Sequence, residues 1–294
     1  ILRKLLKTKD WVLLAIYWLS PISLIASYCL GYNDIIPVFL LMSAVYFLRD
    51  HRLIWSGALT AAAISAKLSM ILGLPFFLIY LFHNGNLRQI LREYLIGLAL
   101  GFCALFLPFL LSQAGMGMLA GNPEVEKIYQ LSISLVRNTV IYLVPLVYLL
   151  MVYAAWRIRR MNFELFNAIL GMAFLLVVLL APASPGWFIW ILPLLVSYQV
   201  SGDRAAIYIT SIFSALYAFS AILFVGSQLT AILQAFEIQN SFGDVQLINT
   251  RLISLTHTAL VATGIVLAAR IWRETVIRND FFRLSRKPFV IGVA

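Results

Sequence analysis

Long apolar runs separated by short polar gaps cover the chain: Trp11–Leu30, Ile35–Leu48, Leu53–Ala66, Ser69–Phe82, Tyr94–Leu111, Thr139–Trp156, Phe163–Ala181, Trp187–Val200, Ala205–Phe224 and Leu252–Ala269. The runs are continuous and rich in Leu, Ile and Ala. That pattern predicts helices whose backbone bonds close within each segment, not the alternating strands of a β-barrel. The expected fold is all-α: a single polytopic transmembrane helix bundle over 1–294 with about ten spans. Several spans are short, interfacial helices are expected in the outer loops, and 270–294 is read as a basic cytoplasmic tail.

Basic residues fall in every second gap. All but four of the 22 lysines and arginines lie before the first run, at Arg49 and Arg52, Arg88 and Arg92, Arg157 to Arg160, Arg204, or from Arg270 onward. The exceptions are Lys67, Lys127, Arg137 and Arg251. Basic gaps stay in the cytoplasm, so both termini of this chain are expected there. The same rule requires Leu53–Phe82 to break at Lys67, because one unbroken helix would put its two basic flanks on opposite sides. Each half is then about 21 Å long against a hydrocarbon core of ~30 Å. Ile35–Leu48 is equally short. Such helices are expected inside the bundle, with outer ends sunk around a wet cavity. Asp34 and Lys67 occupy those ends.

Two outer gaps are long. In Ser112–Asn138, Asn122-Pro123-Glu124 is a good helix start. Val125, Ile128, Leu131, Leu135 and Val136 then predict a helix lying on the interface. Phe224–Arg251 is read similarly, with Leu229, Ile232, Leu233 and Phe236 on one face.

Composition agrees. The chain is 62% hydrophobic and 12% charged, with mean hydropathy +0.93; a soluble domain carries about 25% charged residues. The net charge of +10 is spread as small clusters at helix ends, which points to membrane lipids and not to nucleic acid. Cys29 and Cys103 lie in separate apolar runs and are read as small core residues. His51, His83 and His257 have no metal-ligand spacing. No cofactor and no metal site are expected, with a divalent metal left open. Residue 1 is Ile, so a further N-terminal part is expected upstream.

Few residues can carry chemistry. Asp34 is either the N-cap of the helix from Ile35 or a cap and a site residue together. Lys67 either snorkels to outer headgroups or neutralises a phosphate or Asp34. Glu124, Glu126, Lys127 and Arg137 read as solvated residues flanking the outer helix. Arg137, nearest the membrane, is the best phosphate contact in that loop, and Arg251 stands in the same relation to the last run. Trp187 and Trp190 follow Pro182, Pro185 and Gly186; they either form an interfacial belt or stack on a sugar or an isoprenoid tail.

Gly31–Phe82 resembles a recurring pattern of polytopic GT-C glycosyltransferases, mannosyltransferase-like enzymes that use polyprenyl-phosphate sugars. Gly31, Asp34, Ser56-Gly57, Lys67 and Leu74-Pro75 carry the likeness. Pro185, Trp187, Trp190 and Pro193 are similar to a later segment of that family. The resemblance implies a hexosyltransferase of the cell envelope, in a bacterial inner or plasma membrane. It would move a sugar from a polyprenyl-phosphate donor to a lipid or glycan acceptor at the extracytoplasmic face. It implies a catalytic acid in a first outer loop, which no loop here matches; that residue is expected upstream of Ile1, and the catalytic residue stays unassigned. Asp34, Lys67, Arg137, Trp187, Trp190 and Arg251 are the candidate substrate-binding residues. The alternatives are a multispan transporter or lipid flippase, or a non-catalytic relative; paired broken helices in two matching halves, a transporter feature, are not evident.

The sidedness is testable. A cysteine replacing Lys67, in a protein freed of Cys29 and Cys103, is expected to react with an impermeant thiol reagent from the non-cytosolic side. Reaction from the cytosol alone would overturn the topology.

Overall fold

The computed structural model describes residues 1–6, 8–135, 139–158, 161–235 and 243–278. The chain is an all-α polytopic bundle. A short helix α1 (Leu2–Leu6) precedes the first apolar run, which is broken rather than straight. Its two halves, Asp10–Trp18 and Pro21–Cys29, meet at 53°. α2 (Asp10–Leu13) and α3 (Pro21–Ser23) each continue into a π-helical stretch. The break has a local cause. Ser20 Oγ caps the Ser23 amide at 3.1 Å, and Pro21 at the first helical position has no N–H to join the preceding helix.

Gly31 then turns the chain in the left-handed region, φ 70°, where glycine carries no Cβ penalty. α4 (Ile35–Arg49) and α5 (Leu53–Ala66) follow, joined by a tight turn in which His51 has φ 57°. The break that the charge pattern demands is present. Helical backbone stops at Ala66, Lys67 is extended at φ −155° and ψ 117°, and a 3₁₀ stretch Leu68–Gly73 leads into α6 (Leu74–His83).

α7 (Gly85–Arg88) and α8 (Leu91–Leu110) precede the first of the two long loops. That loop holds α9 (Gln113–Ala120), a single turn α10 (Pro123–Glu126), a 3₁₀ turn Lys127–Tyr129, and an antiparallel pair of β1 (Ser132–Ser134) and β2 (Val140–Tyr142). The expected helical start at Asn122 is real, since its Oδ1 accepts from the Glu124 amide at 3.0 Å. The expected helix is shorter than 125–136: helical turns end at Tyr129, and β1 pairs with β2 after it, with Ile133 opposite Ile141, while Val136 lies outside the described residues. Ser-Ile-Ser alternates with period two, and Val140-Ile141-Tyr142 is β-branched and aromatic, which suits a strand better than a helix.

α11 (Leu143–Arg157) and α12 (Phe163–Leu180) come next, then a 3₁₀ stretch Pro185–Ile191 running into α13 (Leu192–Ser201). Two long helices close the bundle, α14 (Arg204–Ala235) and α15 (Gly243–Arg278). They absorb most of the 224–251 gap; the side chains of Leu229, Ile232, Leu233 and Phe236 lie outside the described residues. Segments Leu91–Leu110, Phe163–Leu180, Arg204–Leu223 and Arg251–Thr275 are long and apolar enough to cross a membrane. α12 forms the centre, buried along most of its length and packed by α6, α11, α13 and α15. α8 is the opposite case: Tyr94, Gly97 and Gly101 face inward, while Leu95, Leu100, Leu107 and Phe109 are exposed to lipid. Cys29 and Cys103 are exposed, not core residues. Cys103 lies about 200° round the helix from Gly101, on the lipid face.

α5 and α8 run side by side in the same direction along a seam of small residues. A Cβ on Gly57 would strike the Tyr94 carbonyl and the Leu98 amide; one on Gly97 would strike the Ile54 carbonyl; one on Gly101 would meet Ala61 Cβ at 2.7 Å. Without side chains the backbones touch, the usual basis of helix association in lipid. Beside the seam, Tyr94 donates its hydroxyl to Thr60 Oγ1 at 3.1 Å, and Ser56 Oγ donates to the Ala44 carbonyl at 2.8 Å.

Gly97→Leu is expected to cost about 2–3 kcal/mol by forcing these backbones apart. Gly117→Ala, with open space around its Cβ, should stay within about 0.5 kcal/mol. Unfolding of the detergent-solubilised variants measures both, and equal stabilities would refute the seam.

Candidate functional site

The candidate site gathers at the end of the bundle where α4 begins, α5 ends and the Pro185–Ile191 stretch passes. Asp34 occupies the N-cap position of α4, but its carboxylate makes no capping bond. Instead Oδ1 accepts from Lys67 Nζ at 2.5 Å and from Trp190 Nε1 at 2.6 Å. Asp34 is 3% exposed and Lys67 25%. A carboxylate sealed this far from water persists as an ion only when paired and hydrogen-bonded, and both conditions hold.

Local sequence explains the placement. In a 3₁₀-helix residues three apart eclipse, so Trp187 and Trp190 stack, with ring centroids 4.7 Å apart and planes at 18°. Gly186 allows the stretch to lie against Asp34; a Cβ there would sit 2.6 Å from Asp34 Oδ2 and 2.7 Å from the Tyr32 ring. The Pro185 carbonyl is held by the Tyr217 hydroxyl at 3.1 Å. The ending of α5 at Ala66 frees Lys67 to turn back onto Asp34, with its ammonium 5.2 Å from the Trp190 ring centroid.

A second, similar unit sits on the other ring. Trp187 Nε1 donates to Glu124 Oε2 at 2.9 Å, Lys127 Nζ pairs with Glu124 Oε1 at 2.8 Å, and Lys127 lies 5.5 Å from the Trp187 ring centroid. Each indole therefore serves one carboxylate, and each carboxylate one lysine near that indole's ring. Tyr32 stands near both acids. Burial pushes its phenol above the usual 10, and the charges of Glu124 and then Asp34 push it further, so it remains a neutral hydroxyl at physiological pH.

Among the sequence-derived candidates, Asp34, Lys67, Trp187 and Trp190 come together. Trp187 is 1% and Trp190 4% exposed, so these rings do not form an exposed interfacial belt, and Trp190 borders an internal cavity. Their N–H groups meet the carboxylates of Glu124 and Asp34. Arg137 lies outside the described residues. Arg251 is exposed on α15. Glu124 and Lys127, read from sequence as solvated, belong to the site. Their three-residue spacing after a helix start was visible, but nothing local announced an indole 63 positions away. Among the described residues no group of three His, Cys, Asp or Glu side chains is placed to hold a metal.

A cavity of about 500 Å³ begins at Trp190 and descends between α4, α12 and α13. Val38, Leu41, Leu170 and Phe174 line its upper part; Arg49 and Glu274 mark its far end. There Arg49 donates to the carbonyls of Lys4 and Leu5 in α1, and Tyr198 donates to Glu274.

Residues 2–135 match the family model described as ALG3 protein. That family comprises dolichyl-phosphate-mannose-dependent mannosyltransferases. The matched stretch holds Asp34, Lys67, Glu124 and Lys127 and ends before the tryptophans. With the membrane bundle, the match supports a membrane glycosyltransferase. No curated protein and no solved structure matches the chain.

Removing one member of the Asp34–Lys67 pair strands the other. Asp34→Asn or Lys67→Met alone is expected to destabilise the protein by about 2–4 kcal/mol. The double variant should cost clearly less than the two losses added. Unfolding of all four proteins supplies the cycle, and strict additivity would show that the pair does not act as one.

Proposed function

We propose that the protein transfers a hexose, mannose in the first instance, from a polyprenyl-phosphate donor to a lipid or glycan acceptor at the extracytoplasmic face. Lys67 is the observation that carries this reading. It is an ammonium at the outer end of a short helix, oriented by a buried carboxylate yet still partly open. One of its three N–H donors suffices for Asp34, which leaves others for a phosphate. Its position in a gap otherwise poor in basic residues has the same explanation.

In the transfer, an acceptor hydroxyl oxygen attacks the anomeric carbon. The bond from that carbon to the phosphate oxygen breaks, and the hydroxyl proton passes to a carboxylate. Charge grows on the departing phosphate, and a cation held in place beforehand lowers that barrier without reorganising. Asp34 is a poor proton acceptor here because its Oδ1 already receives two donors; its role is to hold Lys67. The base is expected in the acidic first outer loop that the resemblance implies. The cavity beneath Trp190 lies within the ~300–1,000 Å³ range of small-molecule sites, and its apolar upper wall suits the first isoprene units of the donor. The transfer needs neither a nucleotide nor a cofactor, and the termini of this chain would lie in the cytoplasm.

Full-length protein reconstituted with polyprenyl-phosphate mannose tests the reading. Lys67→Ala is expected to lower transfer about 10²-fold when equal amounts of folded protein are reconstituted. Undiminished transfer by that variant would show that the phosphate binds elsewhere.

A further inference from the structure

The donor phosphate accounts for one carboxylate–lysine–indole unit and leaves the second unexplained. Asp34 is sealed, so no mobile ligand reaches it. Glu124 differs: its side chain is 37% exposed, on the loop side of the stacked indoles. Its two oxygens each take one donor, from Lys127 and Trp187. A carboxylate offers about four acceptor positions, so about two stay open on a group that cannot swing away. Glu126, two residues on, is exposed and shows what a merely solvated acid of this turn looks like. Fixed, half-open carboxylates read hydroxyl pairs well, because both bonds are charge-assisted and the geometry is set in advance.

Resting on the transferase reading, we propose that Glu124 is the acceptor-binding, specificity-determining residue, accepting hydrogen bonds from hydroxyls of the acceptor's terminal sugar. Trp187 and Lys127 are its positioning residues. The phosphate contact and the acceptor contact are thus carried by successive rings of one stack whose centroids are 4.7 Å apart.

The test uses full-length protein, polyprenyl-phosphate mannose as donor, and octyl mannoside with its monodeoxy analogues as acceptor probes. Glu124→Ala should raise the acceptor KM about 10–100-fold, the worth of one or two charge-assisted bonds, with the donor KM within about threefold. Glu124→Gln keeps the side-chain shape and an oxygen for Trp187; it should raise the acceptor KM less, and Glu124→Asp should restore part of the loss. One deoxy analogue should be poor for the parent protein but no worse than octyl mannoside for Glu124→Ala. An unmoved acceptor KM, or a rise in the donor KM instead, would overturn the assignment while leaving the transferase reading intact. No transfer by the parent protein would overturn both.

Discussion

Asp34 carries a negative charge where the bundle leaves it almost no water, and Lys67 and Trp190 answer that charge through a single oxygen. Such a group must find partners or be neutralised by taking up a proton. Much of the surrounding structure reads as the means of supplying them. The left-handed turn at Gly31 brings Asp34 to the mouth of α4. The end of α5 at Ala66 releases Lys67 toward it. The 3₁₀ register of Pro185–Ile191 aims the Trp190 indole downward, and Gly186 makes room for the approach. Residues 34, 67 and 190 come from three distant parts of the chain, so the pair also fixes how those parts sit together.

The same interaction links fold to function. An isolated lysine at a membrane mouth is a flexible, hydrated cation. Lys67 is instead held by a carboxylate and lies near an indole ring, which fixes its position before any ligand arrives. The attraction between the ammonium and Asp34 also offsets part of its charge, which under the proposed function lets a phosphate bind and leave again. Trp187 repeats the arrangement with Glu124 and Lys127 on the loop side. The two carboxylate–lysine pairs therefore share one aromatic stack, and the loop after α8 is pinned to the bundle through Glu124.

Much of this architecture was legible in the sequence because lipid imposes simple rules. Charge alternation alone demanded a break at Lys67, and the backbone turns extended at that residue. Three short helices implied a recessed outer mouth, and Asp34, Lys67, Trp187 and Trp190 were named as the residues around it. What remained hidden depends on long-range contacts that leave no periodic trace. Glu124 and Lys127 look like any solvated pair until Trp187 is placed above them. The tryptophans looked like belt or platform residues because a 3₁₀ stretch, which buries both rings, has no strong local signature. The helical spacing of Val125, Ile128, Leu131 and Leu135 predicts one helix, but helical turns end at Tyr129 and the alternating Ser132–Ser134 pairs as a strand. Cys103 was assigned to the core because an apolar span shows no distinction between its lipid face and its packed face until Gly97 and Gly101 identify the seam.

The central claim is that the Asp34-held ammonium is where the lipid phosphate binds. Electron cryo-microscopy of the full-length protein with bound polyprenyl phosphate tests it most directly. The account predicts phosphate oxygens within about 4 Å of Lys67 Nζ, with the Asp34 contact retained and the isoprenoid entering the cavity below Trp190. A phosphate seated at the opposite end, beside Arg49 or Arg270, would contradict it.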